Sequence, residues 1–125
     1  MPETLQVLRS GGMPDLAPTI YRQRLVIEGR TPVAIGSKAI RAYLSELTEV
    51  IGMHRLNEPV THRSVRYGWA GWVHWETSGA HFYAWDEPEL FFSVDIYACA
   101  PFDGEAALAF TAAFFSAGEV VAKAF

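Results

Sequence analysis

The sequence holds one cysteine in 125 residues, which excludes an internal disulfide and suits a reducing compartment, so a cytoplasmic setting is expected. Charge is also sparse. Charged residues make up 19%, with 10 Lys and Arg against 14 Asp and Glu and a net charge of −4. Arg22 and Arg24 alternate along a strand-like run, and Arg55, Arg63 and Arg66 are scattered. Without a basic stripe to neutralise phosphates, nucleic acid is excluded as a partner. No apolar run approaches the ~20 residues that span a bilayer, and Met1 to Leu16 has no basic-then-apolar secretory pattern, so no membrane association is expected. No glycine-rich loop sits at a strand-to-helix junction: Gly68-Trp69-Ala70-Gly71 opens a strand and is not a phosphate loop. No nucleophile elbow occurs either.

Apolar material is plentiful. Half the residues are hydrophobic and 14% are aromatic, enough for one core without disulfides or metal. The low charge leaves apolar surface to spare, and a homo-oligomer interface, most simply a dimer, is its expected outlet. Residues 1–20 carry Gly11-Gly12, Pro14 and Pro18 without periodicity and read as an arm; residues 21–125 read as a single domain. Tyr21 to Glu28 reads as a strand. Ser37 to Ile51 reads as a helix, because Ile40, Tyr43, Leu44, Leu47 and Ile51 share one face; Ser37 is placed to cap it and Gly52 to end it. His54 to Arg66 is mixed: Pro59 breaks it, with room for a short strand before or after it. From Tyr67 to Trp85 aromatic and β-branched residues favour strands, with Gly79 marking a bend or a close backbone approach. Leu90 to Ala98 is a further strand. Pro101 and Asp103 introduce a second helix to about Ser116, and Glu119 to Phe125 closes with a strand. The order β-α-β-β-β-α-β predicts an α+β fold: a two-layer α/β sandwich, its largely antiparallel sheet covered on one face by two helices.

Few residues are equipped for chemistry. Cys99 ends a strand just ahead of a helix. A lone cysteine is most simply a small buried hydrophobe, whereas a thiol at a helix N-terminus has a stabilised thiolate and acts as an acid or nucleophile. His74 and Glu76 would share a strand face with His81 close by, but the spacing matches no metal signature, so no metal is expected and a polar pocket is the simpler reading. His54 and His62 read as loop residues. Of the four tryptophans, Trp69 and Trp75 fall on one strand face and Trp72 on the other. Core and subunit interface account for most such residues. Trp72 and Trp85 are the candidate ligand-binding residues, as a stacking wall for a flat ligand such as adenine; a cationic ligand would gain a further ~0.5 to 2 kcal/mol from their faces.

Three segments together resemble the small prokaryotic S-adenosylmethionine decarboxylases: Gly68-Trp69-Ala70-Gly71 followed by Val73 to Ser78; Ala80 to Trp85 with its acidic-proline turn; and Ser93-Val94-Asp95-Ile96-Tyr97-Ala98-Cys99. The resemblance covers residues 21–125. It implies a pyruvoyl-dependent decarboxylase of S-adenosylmethionine, or of a related amino acid, that serves polyamine synthesis. In that family a serine attacks its preceding carbonyl, the chain breaks there, and the serine becomes a pyruvoyl ketone that receives the substrate amine and draws off electrons as CO₂ leaves. By position Ser78 is the precursor and Cys99 the proton donor. The sequence departs from the family at three places: Thr77 stands where the family has Glu, Tyr83 where it has a processing histidine, and Ala70 where it has a processing serine. His81 shares the face of Tyr83. The departures imply an alternative, an unprocessed relative without a pyruvoyl group, which binds S-adenosylmethionine or acts on it with Glu76, His81 and Tyr83 as acid-base groups.

Overall fold

The computed structural model describes residues 13–125, so most of the expected arm, residues 1–12, lies outside the described residues. Residues 13–20 are mostly exposed and lead into the sheet, where the Arg22 guanidinium donates to Asp15 and to the carbonyls of Ala17 and Ile20. The elements are β1 (Gln23–Arg30), α1 (Ser37–Val50), β2 (Val60–Ser64), β3 (Gly68–Trp75), β4 (Ser78–Trp85), β5 (Phe91–Ala98), α2 (Gly104–Phe114) and β6 (Glu119–Ala124). All six strands pair antiparallel in the order β2-β3-β4-β5-β1-β6. The expected α+β sandwich is the one found, with β2 as an additional strand in the segment that read as mixed.

Alternation sorts the strand residues onto two faces. Leu25, Ile27, Val73, Trp75, Ala80, Phe82, Phe92, Val94 and Ile96 are buried against the helices. From α1 come Ile40, Tyr43, Leu44 and Leu47, all fully buried at the three- and four-residue spacing that marks this helix in the sequence. Burial of each such side chain stabilises the fold by about 1.5–3 kcal/mol. Gly71 lets α1 close on β3: a Cβ there would lie 2.6 Å from Ile40 Cγ2. The ends of α1 divide the expectation. Gly52, at φ +70, follows its last turn. Ser37 does not cap it: the N-cap residue is Gly36, which has no side chain to bond, and the Ser37 hydroxyl, already inside the helix, is paired with Thr61 Oγ1 at 2.7 Å and accepts from Arg41. In α2, Asp103 does cap, accepting from the Ala106 amide.

Two hydroxyls keep the core's polar atoms satisfied. The Tyr43 hydroxyl, whose ionisation burial pushes far up, pairs with Thr111 Oγ1 at 2.7 Å. Trp75 Nε1 donates to Thr48 Oγ1 at 2.8 Å, and that hydroxyl donates to the Leu44 carbonyl. Thr48→Val keeps the shape and strands the buried indole N–H. It is expected to lower stability by about 1–3 kcal/mol, measured as a lower thermal or urea midpoint. Among the described residues no helix is long and apolar enough to cross a membrane.

Candidate active site

Among the described residues no helix covers the second face of the sheet. Trp72 and His74 of β3, His81, Tyr83 and Trp85 of β4, and Phe91, Asp95 and Tyr97 of β5 stand on it by alternation. Tyr83 and Tyr97 are each 43% exposed.

At one end of this face β3 turns into β4 through Glu76 and Thr77, with Trp75 opposite Ser78. Ser78 has φ +118, a region an L-residue enters only under strain, of the order of 1–3 kcal/mol. It also lies opposite Ala98, so the turn and the end of β5 are side by side. The Cys99 amide therefore reaches the turn and donates to the Thr77 carbonyl at 3.0 Å. From the other side the segment after α1 braces the same turn: Glu76 N–H donates to the His54 carbonyl, Leu56 N–H to the His74 carbonyl, and Thr77 Oγ1 contacts Met53 sulfur at 3.2 Å. Gly79 supplies close approach rather than a bend. A Cβ there would sit 2.4 Å from the Val73 carbonyl oxygen. Gly79→Ala is accordingly expected to open the β3–β4 pairing beside Ser78, seen as a lower unfolding midpoint and faster amide exchange at Val73 and His74.

A hollow of about 410 Å³ opens beside Ser78, lined by Leu56, His74, Trp75, Ser78, Gly79, His81 and Tyr97. The His74 and His81 rings are 6.2 Å apart, and Trp72 lies against His74 at 4.5 Å. A second hollow, of about 340 Å³, contains Tyr83, Trp85, Tyr67 and Ala70. The structure thus gathers Ser78, Cys99 and His81 at one end of the sheet and places Tyr83 in the neighbouring hollow. Ala70 faces Tyr83 directly across β3 and β4. Trp72 and Trp85 share the open face but do not stack on each other; Trp85 packs on Phe91, ring centres 5.5 Å apart.

Four expectations are corrected. Glu76 is exposed in the turn, not on a strand face with His74, since β3 ends at Trp75. Cys99 is exposed, not a buried hydrophobe. It also lies ahead of the Asp103 cap and the first turn of α2, so the setting that matters is its amide on Thr77. His62 belongs to β2 rather than a loop. Among the described residues no three His, Cys, Asp or Glu side chains converge as metal ligands. Leu56 and Tyr97 line the hollow without having been singled out. Tyr97 was within reach, because alternation from Cys99 puts it on the same face.

A six-stranded antiparallel sheet backed by two helices, with a serine-bearing turn at the end of its open face, is a two-layer α+β sandwich of the adenosylmethionine decarboxylase type. The crystal structure of the adenosylmethionine decarboxylase from Aquifex aeolicus VF5 superimposes on it with a TM-score of 0.69, covering 85% of this chain and 89% of that one at 13% identity. At that identity the likeness is one of fold. The sequence match is independent of it: the S-adenosylmethionine decarboxylase family matches residues 33–125, and the chain belongs to that family. No curated protein matches the sequence.

Proposed function

We propose that this chain breaks itself between Thr77 and Ser78 and then decarboxylates S-adenosylmethionine in polyamine synthesis. The observation that carries this reading is the Cys99 amide on the Thr77 carbonyl, next to a serine held at positive φ. Attack by the Ser78 hydroxyl on that carbonyl would place negative charge on the oxygen the amide already holds, the role of an oxyanion donor. Cleavage would also release the strain at Ser78.

These features fit a pyruvoyl group derived from Ser78. The ketone supplies an electron sink for the bonding pair that remains when the substrate carboxylate leaves as CO₂. Cys99 is the proton donor in this reading, exposed and one residue past the partner of Ser78. His81, with His74 beside it, is the acid-base group within the hollow, and it takes over a task that Tyr83 occupies by sequence position. Glu76 stays available to the solvent side of the turn. Trp72, beside His74 in the middle of the open face, offers a ring face to the adenine or the sulfonium, and Trp85, about 13 Å further along the strands, walls the neighbouring hollow.

The hollow is open, and small ligands are usually enclosed over most of their surface. A second copy laid on the aromatic open face would supply the missing wall, so we read the functional unit as a homodimer through that face. A purified sample releasing labelled CO₂ from carboxyl-labelled S-adenosylmethionine is the expected result. Release from another amino acid instead would keep the chemistry and replace the substrate; no release from any would sink the enzymatic reading.

A further inference from the structure

The sheet has two outer strands, and they are built differently. β2 is short and polar, with His62, Arg63 and Ser64 exposed. β6 reads Glu-Val-Val-Ala-Lys-Ala, pairs with β1 in unbroken register from Glu119 to Ala124, and has no proline and a single lysine. Edge strands are normally blunted by charge, proline or a bulge, because their free N–H and C=O groups recruit another strand. The Phe125 amide donates to the Arg24 carbonyl opposite it. By antiparallel alternation, Phe125, Lys123, Val121 and Glu119 bond to β1, and Val120, Ala122 and Ala124 turn their backbone groups to the free edge. Among the described residues nothing covers that edge.

The side chains on β6 are complementary to themselves. Glu119, Val121 and Lys123 project from the open face of the sheet, and Val121 is 66% exposed. Antiparallel pairing with a second β6 about Val121 sets Val121 against its own copy and Glu119 against Lys123, twice. It also sets Val120 against Ala122 as hydrogen-bonded pairs on both sides of the dyad. Pairing about Ala122 instead would face Glu119 with Phe125 and leave Lys123 opposite Val121. Opposite charges directly across a strand pair stabilise and mismatched ones do not, so the charges choose the first register. The helix layer is compatible with the same partner. The α2 helix carries one charged residue, Glu105, and is apolar nearly all round. Its Phe110 and Phe114 meet Tyr43 of α1, and Leu108 and Ala112, half-buried, lie on the opposite flank. A helix apolar on all sides suits an interior position.

We infer that β6 is a self-pairing edge: two copies of this chain join their sheets through antiparallel β6–β6 contact centred on Val121, with reciprocal Glu119–Lys123 pairs. This contact is separate from the open-face dimer and joins such units into a larger assembly. The test uses the full chain. In a Cys99→Ala background, Val121→Cys should crosslink to a covalent dimer on mild oxidation, because a non-hydrogen-bonded pair brings the two Cα atoms to about 4.5 Å. Glu119→Cys should not, its two copies lying about 14 Å apart along the strands. Light scattering should show either Glu119→Lys or Lys123→Glu halving the assembly mass, and the double swap Glu119→Lys/Lys123→Glu restoring it. An assembly mass indifferent to both single reversals, or no crosslink at Val121, would overturn the inference. Neither result bears on the cleavage at Ser78.

Discussion

Purified from expression, the protein is expected to run as two fragments, residues 1–77 and 78–125, and Ser78→Ala as one intact chain. The argument rests on two independent features of one turn. Ser78 is the residue there whose hydroxyl adjoins its own preceding carbonyl while its backbone is held at φ +118. The carbonyl of Thr77 is polarised by an N–H at 3.0 Å that comes from the far end of β5, not from the turn itself. Removing one preorganised oxyanion donor commonly lowers a rate by about 10²–10³-fold. Removing the nucleophile should abolish the break entirely and take decarboxylation with it, to background. Intact mass spectrometry reads both. The second fragment should also resist N-terminal sequencing, since a ketone replaces its amine. A wild-type chain that stays whole under native conditions would leave the family's fold with the alternative activity, in which S-adenosylmethionine meets only ordinary side chains.

How much of this was legible beforehand depends on whether the cause was local. The α1 helix was, because Ile40, Tyr43, Leu44 and Leu47 repeat at the helical period over about two turns. So was the Asp103 cap. The β2 strand was hard to see because it is a polar edge with Pro59 directly before it, and edge pairing leaves little trace in hydrophobic pattern. Glu76 was misplaced because aromatic density runs through the β3–β4 turn and hides it. Ser37 looked like a cap by residue type, yet it is already inside the helix, with Gly36 as the N-cap residue. The decisive contact, the Cys99 amide on Thr77, follows from the register Ser78–Ala98, and register is a property of two strands together. The resemblance to the family brought Ser78 and Cys99 into one hypothesis; spacing alone would not have joined them.

Cys99 carries two separable tasks in this reading, one in its backbone and one in its thiol, and substitution should pull them apart. Cys99→Ala keeps the amide on the Thr77 carbonyl, so self-cleavage should proceed to the same two fragments. The thiol is gone, so the proton it delivers after CO₂ leaves is missing, and turnover should fall by about 10²-fold or more with little change in KM. Cys99→Pro removes the N–H and should stop cleavage itself, leaving one chain; its far-UV circular dichroism must match the wild type for that result to count. If Cys99→Ala remains uncut, the thiol rather than the amide drives the break. If it is cut and turns over at the wild-type rate, the proton comes from elsewhere in the hollow, and His81 becomes the first residue to replace. The exposure of Cys99 makes the pair of variants informative, because neither removes a buried packing group. What distinguishes this site from a serine and a cysteine that merely lie close is that one residue would serve both reactions through different atoms, its N–H in the chain break and its thiol in the protonation that follows loss of CO₂.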